Sequence, residues 1–229
     1  MKFRTRVLLA QAPLGLTLVL VSVLSLSTLS RLAGSSRAIL KDNPGAAIVG
    51  EVKCSLTMYD DITAKGGRAI MWKAGHSLIK AKMKEEHALL AGEMSGHIFY
   101  RERFFGFDDA PYTAARLLEI LSHSDKPLSA HLADVPVTYS SPELRFDTIE
   151  EKKTALVKRC TEMLRAKGLD LIEVDGVRAT WPDGWGLIRS SNTTPILVVR
   201  YEAKTKERLE EIRALIDGTI AAAKKEIGG

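Results

Sequence analysis

The sequence predicts an α/β protein in two unequal parts. A mixed-sheet α/β domain comes first, and a small α+β domain with an antiparallel sheet and two helices on one face follows. Three observations carry this. Short apolar strands alternate with amphipathic helices between Ala46 and Ser122. Lys126 to Pro142 holds Pro127, Pro136 and Pro142 without sustained periodicity, which marks a boundary. Beyond it a helical pattern, a run of hairpin-linked strands and a last helical pattern succeed one another. The expected divisions are an anomalous apolar segment at 1–37, the α/β domain at 38–133 and the α+β domain at 134–229.

In order, Ala46-Ala-Ile-Val49 reads as a buried strand, and Leu56 to Lys65 as a helix stopped by Gly66-Gly67. Arg68–Trp72 is a strand. Ser77–Glu86 is a helix with Leu78, Ala81 and Met83 among its apolar positions. Leu89–Ala91 and Ile98–Tyr100 are strands on either side of a polar loop. Asp109–Ser122 is a helix with Ala114, Leu117, Leu118 and Leu121 on one face. After the linker, Glu150–Lys167 is a helix with Leu156, Cys160, Met163 and Leu164 inward, closed by Gly168. Strands follow at Leu171–Val174, Val177–Trp181, Trp185–Ile188 and Ile196–Tyr201. Asp175-Gly176 and Asp183-Gly184 are hairpin signals between the first three. The last helix, about Lys206 to Lys225, places Leu209, Ile212, Leu215, Ile216 and Ile220 at helical spacing.

The 229 residues are 45% hydrophobic, enough to bury a core. The net charge of +5 raises the question of nucleic acid, but its location answers it. Lys2, Arg4, Arg6, Arg31 and Arg37 precede the first acid, Asp42, and together account for the whole excess. No basic stripe with interleaved aromatics occurs later, so nucleic acid is not an expected partner. Cys54 and Cys160 lie far apart and form no C-x-x-C pair, which fits two reduced thiols. None of the five histidines stands in an H-x-H or H-E-x-x-H arrangement, so no metal site is read from spacing.

Met1 to Ser36 does not match the rest. A basic start precedes an uncharged run, Val7 to Ser30, whose centre, Leu14–Ser27, is the most apolar stretch of the chain. This has the outline of a signal peptide or a marginal membrane span, with Ser36-Arg37-Ala38 as a small-x-small cleavage site. Pro13, Gln11 and many Ser and Thr weaken a span, because buried polar groups are costly in hydrocarbon. A membrane is therefore not an expected partner.

Two segments carry chemistry. Gly92-Glu93-Met94-Ser95-Gly96-His97 sets a carboxylate, a hydroxyl and an imidazole between glycines. If extended, it points Glu93, Ser95 and His97 the same way, a rim suited to the hydroxyls of a sugar. A ligand-free polar turn fits the same residues equally well. Arg189-Ser190-Ser191-Asn192-Thr193-Thr194-Pro195 sets a guanidinium beside short donors, with Arg189, Ser191, Asn192 and Thr193 suited to a phosphate. Here too an ordinary turn between strands is the alternative. Lys53, after the first strand, reads alone as a surface lysine, and His76 as a capping or core histidine. Asp108-Asp109 reads as an N-cap rather than a metal pair.

Both segments resemble the alpha-D-phosphohexomutases, the phosphomannomutase/phosphoglucomutase family. So do Glu51-Val-Lys-Cys54, Trp72-Lys-Ala-Gly-His76-Ser-Leu-Ile-Lys80, Phe105-Gly-Phe-Asp-Asp109 and Asp175-Gly-Val-Arg178. The resemblance runs from about Ala38 to about Ala223, and it implies the third and fourth domains of that family. It implies that Glu93 and Ser95 hold ring hydroxyls in either sugar orientation, and that His97 lies near the reacting oxygen. It implies that Arg189, Ser191, Asn192 and Thr193 hold the phosphate that is not transferred. Lys53 and His76 are placed in the active cleft, as candidate catalytic residues with His97. Gly50-Glu51 departs from the aromatic-Asp pair more usual there.

The family reaction moves a phosphoryl group between the 1- and 6-oxygens of glucose or mannose phosphates, through a phosphoserine and one Mg2+ ion. The Thr-x-Ser-His-Asn-Pro and Asp-x-Asp-x-Asp-Arg strings that supply serine and metal do not occur in this sequence. The expectation is a mutase fragment, inactive alone, acting on hexose 1- and 6-phosphates, in a gene whose 5′ part is disrupted so that Met1–Ser36 replaces family sequence. Two alternatives are half of a split mutase, with a separate chain bringing the first two domains, and a non-enzymatic phosphosugar-binding protein. Cytoplasmic location is expected, or export or membrane attachment if 1–36 acts as a signal.

Overall fold

The computed structural model describes residues 28–127, 130–131 and 133–227, with side chains from Leu32 onward. The apolar run Leu14–Ser27 lies outside the described residues. Among those described, no helix is long and apolar enough to cross a membrane.

The first helix, α1 (Thr28–Asp42), runs without a break across the boundary expected at 37/38. Leu32, Ala33, Ser35, Ser36, Ile39 and Leu40 are all buried, so its inward face is continuous on both sides of that point. Ser35 accepts a hydrogen bond from the Tyr100 hydroxyl at 2.5 Å. Arg37, counted above with the basic N-terminal charges, pairs with Asp61 at 2.6 Å and Asp134 at 2.8 Å. Folded chain therefore begins earlier than the composition indicated, with small Ser and Ala residues on the packed face of this helix.

The first sheet has the order β2-β1-β3-β4. Strands β1 (Ala47–Glu51), β2 (Arg68–Trp72) and β3 (Leu90–Gly92) are parallel, and β4 (Ile98–Tyr100) closes the edge antiparallel to β3. Helix α2 (Leu56–Ala64) links β1 to β2, and α3 (His76–Glu85) links β2 to β3. Alternation along β1 builds three layers. Ile48 packs with α1 and α2 through Leu32, Met58 and Ile62, while Ala47 and Val49 pack with Ile79 and Met83 of α3. The inward face of α3 is thus Ile79 and Met83; the expected Leu78 and Ala81 are exposed.

Helix α4 (Ala110–Ser122) departs further from expectation. Its one buried residue is Arg116, paired with Glu102 at 2.5 Å and Glu119 at 2.9 Å. Leu118 is 66% exposed and Ala114 is exposed. The apolar stripe read from the sequence is real, but among the described residues nothing covers its outer part. The neighbouring Phe105, 83% exposed, stacks on Phe107.

In the second sheet, β7 (Asp170–Ile172), β8 (Val177–Trp181), β9 (Gly184–Ser190) and β10 (Ile196–Ala203) form an antiparallel meander. Two short strands absent from the sequence reading, β5 (Tyr139–Ser140) and β6 (Leu144–Asp147), pair with β10 and cover its edge. Helices α5 (Glu150–Ala166) and α6 (Lys206–Ile227) pack on one face, with Leu156, Cys160, Leu164, Ile212, Ile216 and Ile220 in the core. The second hairpin turns on Pro182-Asp183, and Gly184 already pairs with Trp181. A Cβ at Gly184 would lie 2.6 Å from Ile212 and 2.5 Å from the Glu202 carbonyl oxygen, so packing requires the glycine.

Strand alternation then fixes what faces the first domain. Leu197, Val199, Tyr201 and Ala203 point to the helices, so Arg200 and Glu202 point the other way. Arg178, Trp185, Leu187 and Arg189 extend that wall. Arg178 Nη1 donates to the carbonyl oxygens of Val52 at 2.6 Å and Cys54 at 2.9 Å, and Arg200 Nη1 donates to that of Lys53 at 2.6 Å. Glu202 accepts from the Ser55 hydroxyl, the Leu56 N–H and the Trp185 indole. The strand-to-helix turn after β1 is therefore held by the second sheet. Cys54 and Cys160 are both buried free thiols, and burial pushes the Cys54 thiol up to about 12.

Candidate functional site

The site lies where the carboxyl ends of β1 and β3 and the start of α3 meet the end of β9. Parallel strands leave such a crevice beyond their carboxyl ends.

The loop from Glu93 to His97 joins β3 to β4. It is a tight turn rather than an extended segment. The Glu93 N–H donates to His97 O at 2.9 Å, and Gly96, at φ +100°, donates back to Glu93 O at 3.0 Å. The reversal at Gly96 breaks the expected alternation, and the three side chains do not form one row. Glu93 and Ser95 stay together: the Ser95 hydroxyl donates to Glu93 Oε2 at 3.3 Å. His97 is exposed, with Nδ1 2.5 Å from Asp108 Oδ2. Asp109 caps α4, accepting from the Tyr112 N–H at 2.7 Å.

Helix α3 begins at Gly75, whose φ of +126° suits glycine, and no side chain of its own segment caps it. Two remote carboxylates take the N–H groups of the two residues just before its first helical residue. Glu93 Oε1 accepts from Gly75 N at 2.8 Å, and Asp175 Oδ2 accepts from Ala74 N at 3.0 Å. Negative charge at a helix start is stabilising. His76, the first helical residue, is exposed, with a 3.4 Å contact to the Ser77 hydroxyl. It is neither a cap nor a core residue.

Lys53 is no free surface lysine. Its Nζ lies 3.1 Å from Glu143 and 3.5 Å from Glu51. Glu51 is fully buried; Oε1 accepts from the Met94 N–H at 2.8 Å, while Oε2 has no partner among the described residues. Burial raises the Glu51 carboxyl above the ordinary range and Glu93 adds to this, while Lys53, the Met94 N–H and Arg189 pull the other way. The buried carboxylates of β1 and the turn, and Arg189, thus share one field.

Arg189 is buried near the end of β9, on the face towards the first domain. Its Nε donates to Asp175 Oδ2 at 2.9 Å, and its two Nη groups carry no hydrogen bond among the described residues. The Ser191 hydroxyl accepts from the Thr193 N–H, the Thr194 N–H and the Thr194 hydroxyl. Ser191 therefore shapes the loop, and Asn192 and Thr193 form its exposed tip. Lys153 holds the loop from below, donating to Ser191 O at 2.8 Å.

Sequence reasoning singled out Glu93, Ser95, Arg189 and their neighbours but did not assign Glu51, Asp175, Arg178, Arg200 or Glu202. For all but Asp175, which lies in a turn, the available signal was charge on otherwise apolar strands. A magnesium ion does not fit the residues present. Glu93 is committed to Gly75 and Ser95, Asp175 to Ala74 and Arg189, Asp109 to Tyr112 and Asp108 to His97. No group of three His, Cys, Asp or Glu suited to a metal occurs among the described residues.

Comparison with known proteins shows the family. The family model for the phosphoglucomutase/phosphomannomutase alpha/beta/alpha domain III matches residues 31–139, and that for the C-terminal domain matches 143–219. The chain belongs to the phosphoglucomutase/phosphomannomutase family. Phosphomannomutase/phosphoglucomutase of Pseudomonas aeruginosa is 46% identical over 187 residues, 82% of this chain and 40% of the relative. Phosphoglucomutase of Neisseria gonorrhoeae is 48% identical over 180 residues, 76% of this chain and 38% of the relative. A family protein of Burkholderia thailandensis superposes with a TM-score of 0.79 at 41% identity, covering 86% of this chain and 42% of that one. The chain thus spans about two-fifths of the length of these relatives. The family match reaches back to residue 31, seven residues before the point at which the resemblance was read.

Proposed function

We propose that this chain carries the sugar- and phosphate-recognition half of a phosphohexomutase, binding hexose 1- and 6-phosphates. One observation carries the reading: the two residues that lead into α3, Ala74 and Gly75, are held by Asp175, which also takes Arg189 of the phosphate loop, and by Glu93 of the sugar loop. In this reading Glu93 and Ser95 accept and donate to ring hydroxyls. The Nη groups of Arg189 take the phosphate in a bidentate fork, with Asn192 and Thr193 at the loop tip. Lys53 and His76 border the cleft between them, and His97, oriented by Asp108, stands at its rim.

Moving the phosphoryl group needs a donor and a charge-stabilising ion aligned with the acceptor oxygen. The residues described here supply recognition and orientation, and no step is assigned to a metal. A separate chain or segment bearing the serine and metal strings completes the enzyme. The relatives' names cover both glucose and mannose phosphates, so both are proposed ligands.

The test is titration calorimetry with glucose 1-phosphate and mannose 1-phosphate against the wild type and Glu93→Gln. The amide keeps an acceptor for Gly75 N but removes the charge offered to the sugar. An affinity loss of about 1.5–3 kcal/mol is expected. Equal binding by both proteins would show that Glu93 serves only the helix start.

A further inference from the structure

We propose that Asp175 is a positioning residue that couples phosphate at the β9–β10 loop to the sugar loop across the domain boundary. The inference rests on the functional reading above and extends it. Asp175 sits in the β7–β8 turn of the second domain. A single oxygen, Oδ2, accepts from Arg189 Nε at 2.9 Å and from Ala74 N at 3.0 Å. A shift of the guanidinium towards a bound phosphate is therefore felt at the Ala74 amide. The next amide, Gly75 N, is the one that holds Glu93 Oε1, and Glu93 Oε2 in turn holds Ser95. The path from phosphate to sugar runs Arg189, Asp175, Ala74–Gly75, Glu93, Ser95, with a hydrogen bond at each non-covalent step.

The turn is built to hold this position. Gly176 has φ +77°, and a Cβ there would lie 2.3 Å from Ile188 O and 2.7 Å from the Arg189 Cα. The Asp-Gly turn is packed directly on the backbone of the arginine it positions. The guanidinium is oriented through Nε, which leaves both Nη groups to face the phosphate together. At the other end, Gly75 at φ +126° holds a backbone conformation that few other residues adopt.

The test is inorganic phosphate titrated into the full chain and followed by amide NMR, in the wild type and in the near-isosteric Asp175→Asn. In the wild type, Ala74 and Gly75 are expected to shift along with Ser191–Thr194, with one common Kd. In Asp175→Asn the loop amides still respond, with Kd weakened about tenfold by loss of a charge-assisted contact, while the Ala74 and Gly75 responses are lost. Loop amides that respond while Ala74 and Gly75 stay silent in the wild type would overturn the coupling and leave the phosphate reading standing. An Ala74 response kept in Asp175→Asn at unchanged Kd would do the same. Silence at Ser191–Thr194 in the wild type would overturn the phosphate reading and the coupling with it. Asp175→Glu, which retains the charge, is expected to restore part of the Ala74 response.

Discussion

Arg178 is the residue whose removal is expected to separate the two domains. Its guanidinium is fully buried, 3.8 Å above the Trp185 ring, with Nη1 on the Val52 and Cys54 carbonyl oxygens. Two hydrogen bonds from a charged donor contribute about 1.5–3 kcal/mol each, and a desolvated cation over indole about 2 kcal/mol. Against this stands the cost of taking the charge out of water, several kcal/mol. That cost is visible in the structure: Nε and Nη2 lack partners, and burial pushes the group down to about 10. Arg178→Met keeps apolar contact with Trp185 and relieves the desolvation, so its net loss is about 1–3 kcal/mol. Arg178→Ala also forfeits the packing on the ring, and about 3–5 kcal/mol is expected.

The assay is urea denaturation followed by tryptophan fluorescence, to which Trp72, Trp181 and buried Trp185 contribute, and by far-ultraviolet circular dichroism. In the wild type the two probes are expected to coincide; in Arg178→Ala they separate, because the sheets no longer share a wall. The pH dependence is fixed in sign. A base held at about 10 in the folded state, and higher when unfolded, is charged in both states below pH 9. The stability gap between the wild type and Arg178→Ala is therefore flat from pH 6 to 9. An unchanged denaturation midpoint for Arg178→Ala, or a gap that varies across that window, would refute the assignment.

Glu51→Gln is expected to raise stability at pH 7, with the gain vanishing as pH falls through the carboxylate range. A carboxyl raised in the folded state favours folding when protonated and loses that contribution as pH climbs through the folded value; melting curves at pH 4 and pH 7 decide. The purified 229-residue chain is expected to show no interconversion of glucose 1- and 6-phosphates in a coupled spectrophotometric assay, and turnover surviving rigorous repurification would contradict the recognition-half reading. Phe105→Ser with Leu118→Lys is expected to lower self-association in sedimentation velocity while changing stability by no more than about 0.5 kcal/mol per site, since both side chains are largely exposed. No difference in sedimentation would show that this apolar face is not what brings copies together.

The second sheet was legible because each of its signals is local. Val177–Trp181 shows strand composition, Asp175-Gly176 a turn, and Ile212, Ile216 and Ile220 one helix face; the structure agrees on all three. The first domain was less so. Its helices α3 and α4 each carry more apolar residues than their buried faces use, and periodicity alone does not say which stripe meets the sheet. Lys82 illustrates the problem: the residue is buried beside Trp72, its ammonium 4.3 Å from the ring, while Leu78 stays outside. In α1 the reverse held. Ser35 and Ser36 concealed a buried face, because small polar residues read as surface until Tyr100 and the Ala33 carbonyl supply their partners.

The candidate site shows the same limit in sharper form. Glu93 and Arg189 stood out because glycines and short polar residues frame them. What joins them did not. Asp175 read as half of a hairpin signal, and that reading is correct as far as the β7–β8 connection goes. Its second role depends on Ala74, about a hundred positions earlier, and no window of sequence contains both. Glu202, Arg200 and Arg178 share this property: each is a charge on an apolar strand with a partner in the other domain. A charged residue at an even position of a strand whose odd positions pack on helices states that something polar faces it. It does not state what. In this protein the answer is the turn after β1 and the N-terminus of α2, and Glu51 at the end of β1 lies within the field of Arg189. Arg178, Arg200 and Glu202 therefore hold in register the two loops proposed above to recognise sugar and phosphate, and substitutions at these three positions are expected to alter phosphosugar affinity.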